Sequence, residues 1–133
     1  MTEQGTAAPA SSVRAYEIGA ESTRTFGRVL CSARDHHFIV DGPAQNGCPG
    51  EELTPVELFL AAVGACGVEL VEVIAREDGT PVDSVKLRIR GEVDRGKQAR
   101  TDVTLFTKVE LDFTIAGAGD ARAAALVESF RRR

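Results

Sequence analysis

Between Leu58 and Val68 the chain carries no charged residue, and on either side of that run apolar and polar positions alternate instead. The run lies inside a longer stretch, residues 54–78, that reads as a helix at both ends. Thr54 can cap it, Pro55 suits the first helical position, and Glu57 three residues on can complete a capping box. Mixed charge at Glu72, Arg76, Glu77 and Asp78 closes the stretch, and Gly79, Thr80 and Pro81 stop it. Ala61, Ala62, Gly64, Ala65 and Gly67 are small and permit other backbones to approach closely, at a cost in helix propensity at the two glycines. The pattern predicts a helix buried on every side, since a run this short does not span a bilayer. Cys66 stands in its middle.

Residues 1–13 are rich in Ala, Thr, Ser and Gly without periodicity and read as a mobile tail, so one folded domain is expected over residues 14–133. Residues 14–18 place Arg14, Tyr16 and Ile18 on one face and predict a first strand. Residues 23–31 predict a second, with Gly27 marking a bulge or a close backbone approach. His36–Asp41 (HHFIVD) predicts a third. Residues 42–53, GPAQNGCPGEEL, form a glycine- and proline-rich loop leading into the helix. Such a loop can cradle an anion, but its spacing fits neither a P-loop nor a dinucleotide fingerprint, and no lysine follows. Beyond the helix, Val85, Leu87 and Ile89 alternate with Lys86, Arg88 and Arg90 in a strand over 82–95. Residues 96–102 turn the chain. Residues 103–115 repeat the pattern with Val109, Leu111, Phe113 and Ile115 inward, so the two strands make an antiparallel pair. Residues 117–120 turn again, and Asp120 is expected to cap a second helix, 121–132, with Ala124, Leu126, Val127 and Phe130 available for burial. Strands, long helix, strands, helix: the fold class is α+β.

Composition narrows the function. At 133 residues the chain suits one domain, and six Phe, one Tyr and no Trp leave the core to Val, Leu, Ile and Ala. Net charge is −4, and the basic residues are scattered apart from Arg131, Arg132 and Arg133. Without a basic stripe interleaved with aromatics, nucleic acid is not the expected partner. No apolar leader follows the N-terminus and no 18-residue apolar run occurs, so the expectation is a cytoplasmic protein without a membrane partner. Three cysteines at irregular spacing do not make a disulfide scaffold; in a reducing compartment they are free thiols.

Cys66 is the first candidate for chemistry. A free cysteine is commonly a small buried hydrophobe, and burial raises a thiol's pKa. A mid-helix position gains nothing from the helix dipole. A reactive Cys66 therefore needs a cation delivered from elsewhere: Arg24 or Arg28, with Arg14 and Arg34 as weaker candidates. Glu69, three residues on, and Glu57, nine residues back, are the carboxylates that the helix is expected to bring to a similar face. Cys48, flanked by Gly and Pro, is a candidate resolving thiol, and Cys31 a lesser one. A metal site from Cys31, His36, His37 and Cys48 is disfavoured, because adjacent histidines on a strand diverge and the spacing fits no zinc pattern. The histidines are expected as one surface and one core residue. No cofactor is implied.

The segments HHFIVDGP, TPVELFLAAVGAC, DSVKLRIRGEVD and LFTKVELDFTIAG, over residues 26–130, together resemble the OsmC/Ohr family of osmotically inducible and organic hydroperoxide resistance proteins, in its redox-protein branch. The resemblance implies antiparallel sheets wrapped around long central helices in an intertwined homodimer, with active sites at the interface. It further implies a peroxidase that reduces organic hydroperoxides at the expense of a dithiol. The reactive cysteine maps onto Cys66, to be held by an arginine and a glutamate. The family's glutamate directly follows the helix-opening proline, where this chain has Val56, with Glu57 one residue late. The family's C-terminal cysteine has no counterpart here; the expectation is either a shortened chain end or resolution by Cys48, Cys31 or an external thiol. The alternative implied is a catalytically weak relative that binds an apolar small molecule at the interface.

Overall fold

Each of two units is built on an antiparallel hairpin. The computed structural model describes residues 12–133, in one unit that reaches to Thr54 and a second spanning Pro55–Arg133. The N-terminal unit is a three-stranded antiparallel sheet of β1 (Gly19–Ser22), β2 (Arg28–Ala33) and β3 (His36–Asp41), in that order. The first strand lies at 19–22 rather than 14–18. Tyr16 and Ile18 remain exposed with no strand beside them, so periodicity alone did not make a strand there. The second strand begins only at Arg28, because 23–27 is a tight turn in which Arg28 N–H donates to the Thr25 carbonyl and Thr25 N–H to the Thr23 hydroxyl. The third strand has the expected bounds. Arg34 and Asp35 turn β2 into β3, with Arg34 at φ 54°, a left-handed conformation that costs a residue with a Cβ. Most of the expected tail, residues 1–11, lies outside the described residues.

The second unit contains α1 (Pro55–Glu77), β4 (Ser84–Glu92), β5 (Lys108–Ala116) and α2 (Asp120–Arg131), with β4 and β5 antiparallel from Ser84↔Ala116 to Glu92↔Lys108. Val85, Leu87 and Ile89 turn inward and Lys86, Arg88 and Arg90 outward, as the alternation predicts. Val71, Ile74 and Ala75 of α1 meet Leu126 of α2 in the core, with Val82, Val85, Phe113, Ile115 and Phe130 packed against it. Gly67 shows why small residues punctuate α1. A Cβ there would sit 2.9 Å from Leu87 Cδ2, with the Phe113 and Phe130 rings just beyond. At the other end of the helix Phe106 crosses Gly91 and stacks on Phe59, ring centroids 5.6 Å apart.

Two expectations need correction. Asp120 does not cap α2; it is the first helical residue, where its charge suits the dipole, and Gly119 is the N-cap without a side-chain bond. Nor is α1 buried on every side. Gly67, Val71, Ile74 and Ala75 are its buried residues, while Val56, Phe59, Ala62, Ala65 and Cys66 are exposed. One helix face packs on β4, β5 and α2, and the small-residue face is left open by the described residues. By length and composition the full helix, unlike its charge-free centre, is apolar enough to cross a membrane, with 22% of its apolar window buried.

Ile74→Ala is expected to lower unfolding stability by about 2–5 kcal/mol, read from urea denaturation, because it opens a cavity in a core of few residues. Arg34→Gly is expected to raise it by roughly 1 kcal/mol by relieving the left-handed turn residue. No gain from Arg34→Gly would mean that the turn is unstrained.

Candidate functional site

The hairpin turn at Arg34 and Asp35 sets the β2–β3 register so that Arg28, first in β2, stands opposite Asp41, last in β3. Their side chains join in a two-point pair: Arg28 Nε donates to Asp41 Oδ1 at 2.8 Å and Nη2 to Oδ2 at 2.9 Å. Asp41 is 0% exposed, and its Oδ2 also accepts the backbone N–H groups of Glu51 and Glu52, each at 3.0 Å. A buried carboxylate with this many donors stays ionised. Hydrogen bonding to Arg28 holds Asp41 well below the usual carboxylate range, against the opposing effect of burial. The same bond holds Arg28 above its usual value. The Glu51 carboxylate, 3.7 Å from Arg28 Nη2, is exposed and adds little. Nη1 of Arg28 makes no hydrogen bond among the described residues, and the side chain is 28% exposed.

The loop 42–53 closes over this pair. Asp41 N–H donates to the Leu53 carbonyl, Gly42 N–H to the Gly27 carbonyl at 2.7 Å, and Gly50 N–H to the Gly42 carbonyl. Joined at its ends, the loop has the form of an Ω-loop. Cys48 fills the space between two glycines: a Cβ at Gly27 or at Gly42 would lie 2.4 Å from its Sγ. Gly27 thus marks a close approach, as its place in the sequence suggests, and Cys48 is what approaches. The half-buried thiol, 3.9 Å from the Asn46 carbonyl, is seated rather than loose.

Cys66 is exposed, not buried as its helix had led us to expect, and lies on the open face of α1 with Ala62, Ala65 and Glu69. Glu69, three residues on, shares that face. Glu57 does not: nine residues are two and a half turns, which puts Glu57 on the opposite side of α1 from Cys66. Arg24 is exposed on the turn before β2, and Cys31 is buried within β2. His36 and His37 are both exposed, so the expected core histidine is not found. Among the described residues no three His, Cys, Asp or Glu side chains gather to hold a metal ion. Asp41 is the residue that sequence reasoning passed over. Its signal was a lone acid ending an apolar strand just ahead of a glycine-proline loop.

A family model described as OsmC-like protein matches residues 48–133, well over half of the chain and including all of the second unit. The chain belongs to the OsmC-like family. No curated protein sequence matches it significantly. Crystal structures of similar fold include an OsmC-like protein from Mycoplasma pneumoniae, 13% identical with a TM-score of 0.75 over 90% of this chain and 82% of that one. An organic hydroperoxide resistance protein from Legionella pneumophila is 20% identical, with a TM-score of 0.71 over 92% and 85% of the two chains. One from Elizabethkingia anophelis, with thiocyanate from the crystallisation bound, is 16% identical, with a TM-score of 0.73 over 92% and 85%. The OsmC-like fold of antiparallel sheets and a long central helix is what α1 and the two hairpins build, and it accounts for so apolar a helix.

The Asp41 carboxyl titrates lower in the folded chain than in the unfolded one, so its contribution to stability is full above the unfolded carboxylate range, near pH 4, and is lost as pH falls through the folded value. Urea unfolding from pH 6 downward should show stability declining below about pH 4. A flat profile down to pH 3 would mean that the pair contributes nothing.

Proposed function

We propose that this OsmC-like chain is a thiol-dependent peroxidase that reduces organic hydroperoxides, with Cys66 as the nucleophile. The observation that carries the reading is the placement of Cys66: an exposed thiol at the midpoint of the long helix, on a face of small residues that leaves room for a substrate. In the reaction the Cys66 thiolate attacks the distal peroxide oxygen and the O–O bond breaks. The alkoxide leaves and takes up a proton as alcohol, and Cys66 is left as sulfenic acid. A dithiol then forms a mixed disulfide with Cys66, releasing water; its second thiol displaces Cys66 as thiol and leaves the reductant as a disulfide. Arg28, anchored with Nη1 unspent, is the better candidate to support the thiolate, and Arg24 the alternative. Cys48 resolves only if its loop opens, so an external thiol is the simpler resolving partner.

The open face of α1 also supports self-association. Phe59, seven residues before Cys66 and so on its side of the helix, is 55% exposed, and a second copy laid on that face would bury it. A second reading, a relative that binds an apolar molecule without turning it over, draws on Val56 in place of the family's glutamate and on Glu57 facing away from Cys66.

Cumene hydroperoxide consumption with dihydrolipoamide as reductant decides between the two readings. The peroxidase reading expects turnover by the native chain, loss of at least a hundredfold in Cys66→Ser, and little change in Cys48→Ser. Turnover that survives in Cys66→Ser would discard Cys66 as nucleophile, and no turnover by the native chain would favour the binding protein. Sedimentation should give a mass twice the chain's 14.2 kDa, and a monomer at micromolar concentration would contradict the proposed dimer.

A further inference from the structure

Along its own side of α1, Cys66 has unlike neighbours in the two directions. Glu69, three residues on, keeps its charge in water and offers an apolar group nothing to lie on. Toward the N-terminus the face runs through Ala62 to Phe59, four and seven residues back. Helical side chains lean toward the N-terminus, so the thiol leans over the turn that Ala62 keeps shallow. From Cys66 to Phe59 the face is about 10 Å long. Phe59 is exposed but braced, because Phe106 stacks on it with ring planes 20° apart. Phe106 is itself lodged: its Cε1 lies 2.5 Å from the point that a Cβ on Gly91 would take, and Leu60 Cδ2 lies 3.1 Å from the same point. One side chain draws together the segment 93–107 that carries Phe106. Gln98 accepts the Leu105 N–H at 2.6 Å, and its amide donates to the Leu105 carbonyl at 3.1 Å and the Asp94 carbonyl at 2.8 Å. Leu105 precedes Phe106, so this clamp fixes where the ring enters its recess.

We infer that the Phe59–Phe106 stack is the end wall of a trough beside Cys66, and that it sets the length of apolar tail a hydroperoxide can lay there. The inference rests on the peroxidase reading above and adds a specificity-determining pair to it. With a carboxylate on one side and small or apolar side chains on the other, a tail carried by the reacting peroxide runs toward the N-terminus of α1. Each carbon laid over Ala62 gains by leaving water. Carbons beyond the stack gain nothing, because they must turn outward. A lone phenylalanine at an exposed helix position could swing aside and let the tail pass. One stacked on a second ring, which is lodged over Gly91 and held through Gln98, stays in place.

The test uses the full chain with Phe106→Ala and Phe106→Leu, each checked for folding by circular dichroism. Turnover is measured on linear alkyl hydroperoxides from butyl to dodecyl, with dihydrolipoamide as reductant. Alongside it, the rate at which N-alkylmaleimides of the same chain lengths label Cys66 is read by peptide mass, apart from Cys31 and Cys48. Native rates should climb with chain length until the tail spans about 10 Å and then level off. In the Phe106 variants the break should move to longer chains and raise the dodecyl-to-butyl ratio about tenfold, as two further buried methylenes would. A native profile without a break overturns the inference. So does a folded variant whose ratio stays native, including one that slows equally at every length, as a loss of stability alone would make it. Should Phe106→Ala fail to fold, Phe106→Leu decides, because it keeps the recess at Gly91 filled. Absence of turnover in the native chain rejects the peroxidase instead, while the maleimide profiles still test the wall.

Discussion

A carboxylate taken fully out of water has to be met by donors from several directions at once, and Asp41 is met by four. That requirement organises the N-terminal unit. One pair of donors comes from across the sheet, on Arg28, and the other from the backbone of the loop that follows β3. The closure of the loop brings the backbone donors to that point, on a strand register that the turn at Arg34 and Asp35 sets. An apolar side chain at position 41 would leave the loop's two N–H groups and a guanidinium without their acceptor.

The second unit is governed by a different constraint, the division of one helix into two unlike faces. Gly67 lets Leu87 and two phenylalanine rings come close enough to build a core from few residues. The other face of α1 repeats the economy of size, with Ala62, Ala65 and Cys66, but none of the described residues buries it. A face of small side chains suits a helix that must lie near another backbone or admit a slender ligand. The placement of Cys66 there makes both uses relevant to the chemistry proposed for it.

Much of this was legible in the residues. The period-two alternation marked which side chains face inward in β4 and in β5 from Leu111 on, though Val109, expected inward, is exposed, and the helix limits followed from Pro55 and from Gly79 with Pro81. What failed did so for identifiable reasons. Residues 14–18 alternate correctly but have no strand to pair with, and alternation carries no information about partners. An uncharged run from Leu58 to Val68 looks the same whether it is covered by its own chain or left open on one side, so the exposure of Cys66 could not be read. Glu57 was placed on the Cys66 side although the helical repeat itself puts it half a turn away. Asp41 was hidden differently. Once Arg34 and Asp35 are known to turn the hairpin, counting outward pairs Arg28 with Asp41, but the sequence showed strands there without showing where the chain reversed.

The seat of Cys48 has a consequence for how the loop can be watched. Its sulfur occupies the volume that two absent side chains would have filled, at Gly27 and Gly42, so a reagent bulkier than the thiol cannot follow it in. Cys48 is half-buried, and its reaction is expected to quicken when the loop lifts. The molecule therefore carries its own clock: the labelling rate of this one sulfur, compared with that of an unfolded peptide, counts how often the 42–53 segment leaves the sheet. The closure that shelters Asp41 can be timed without adding any probe to the chain.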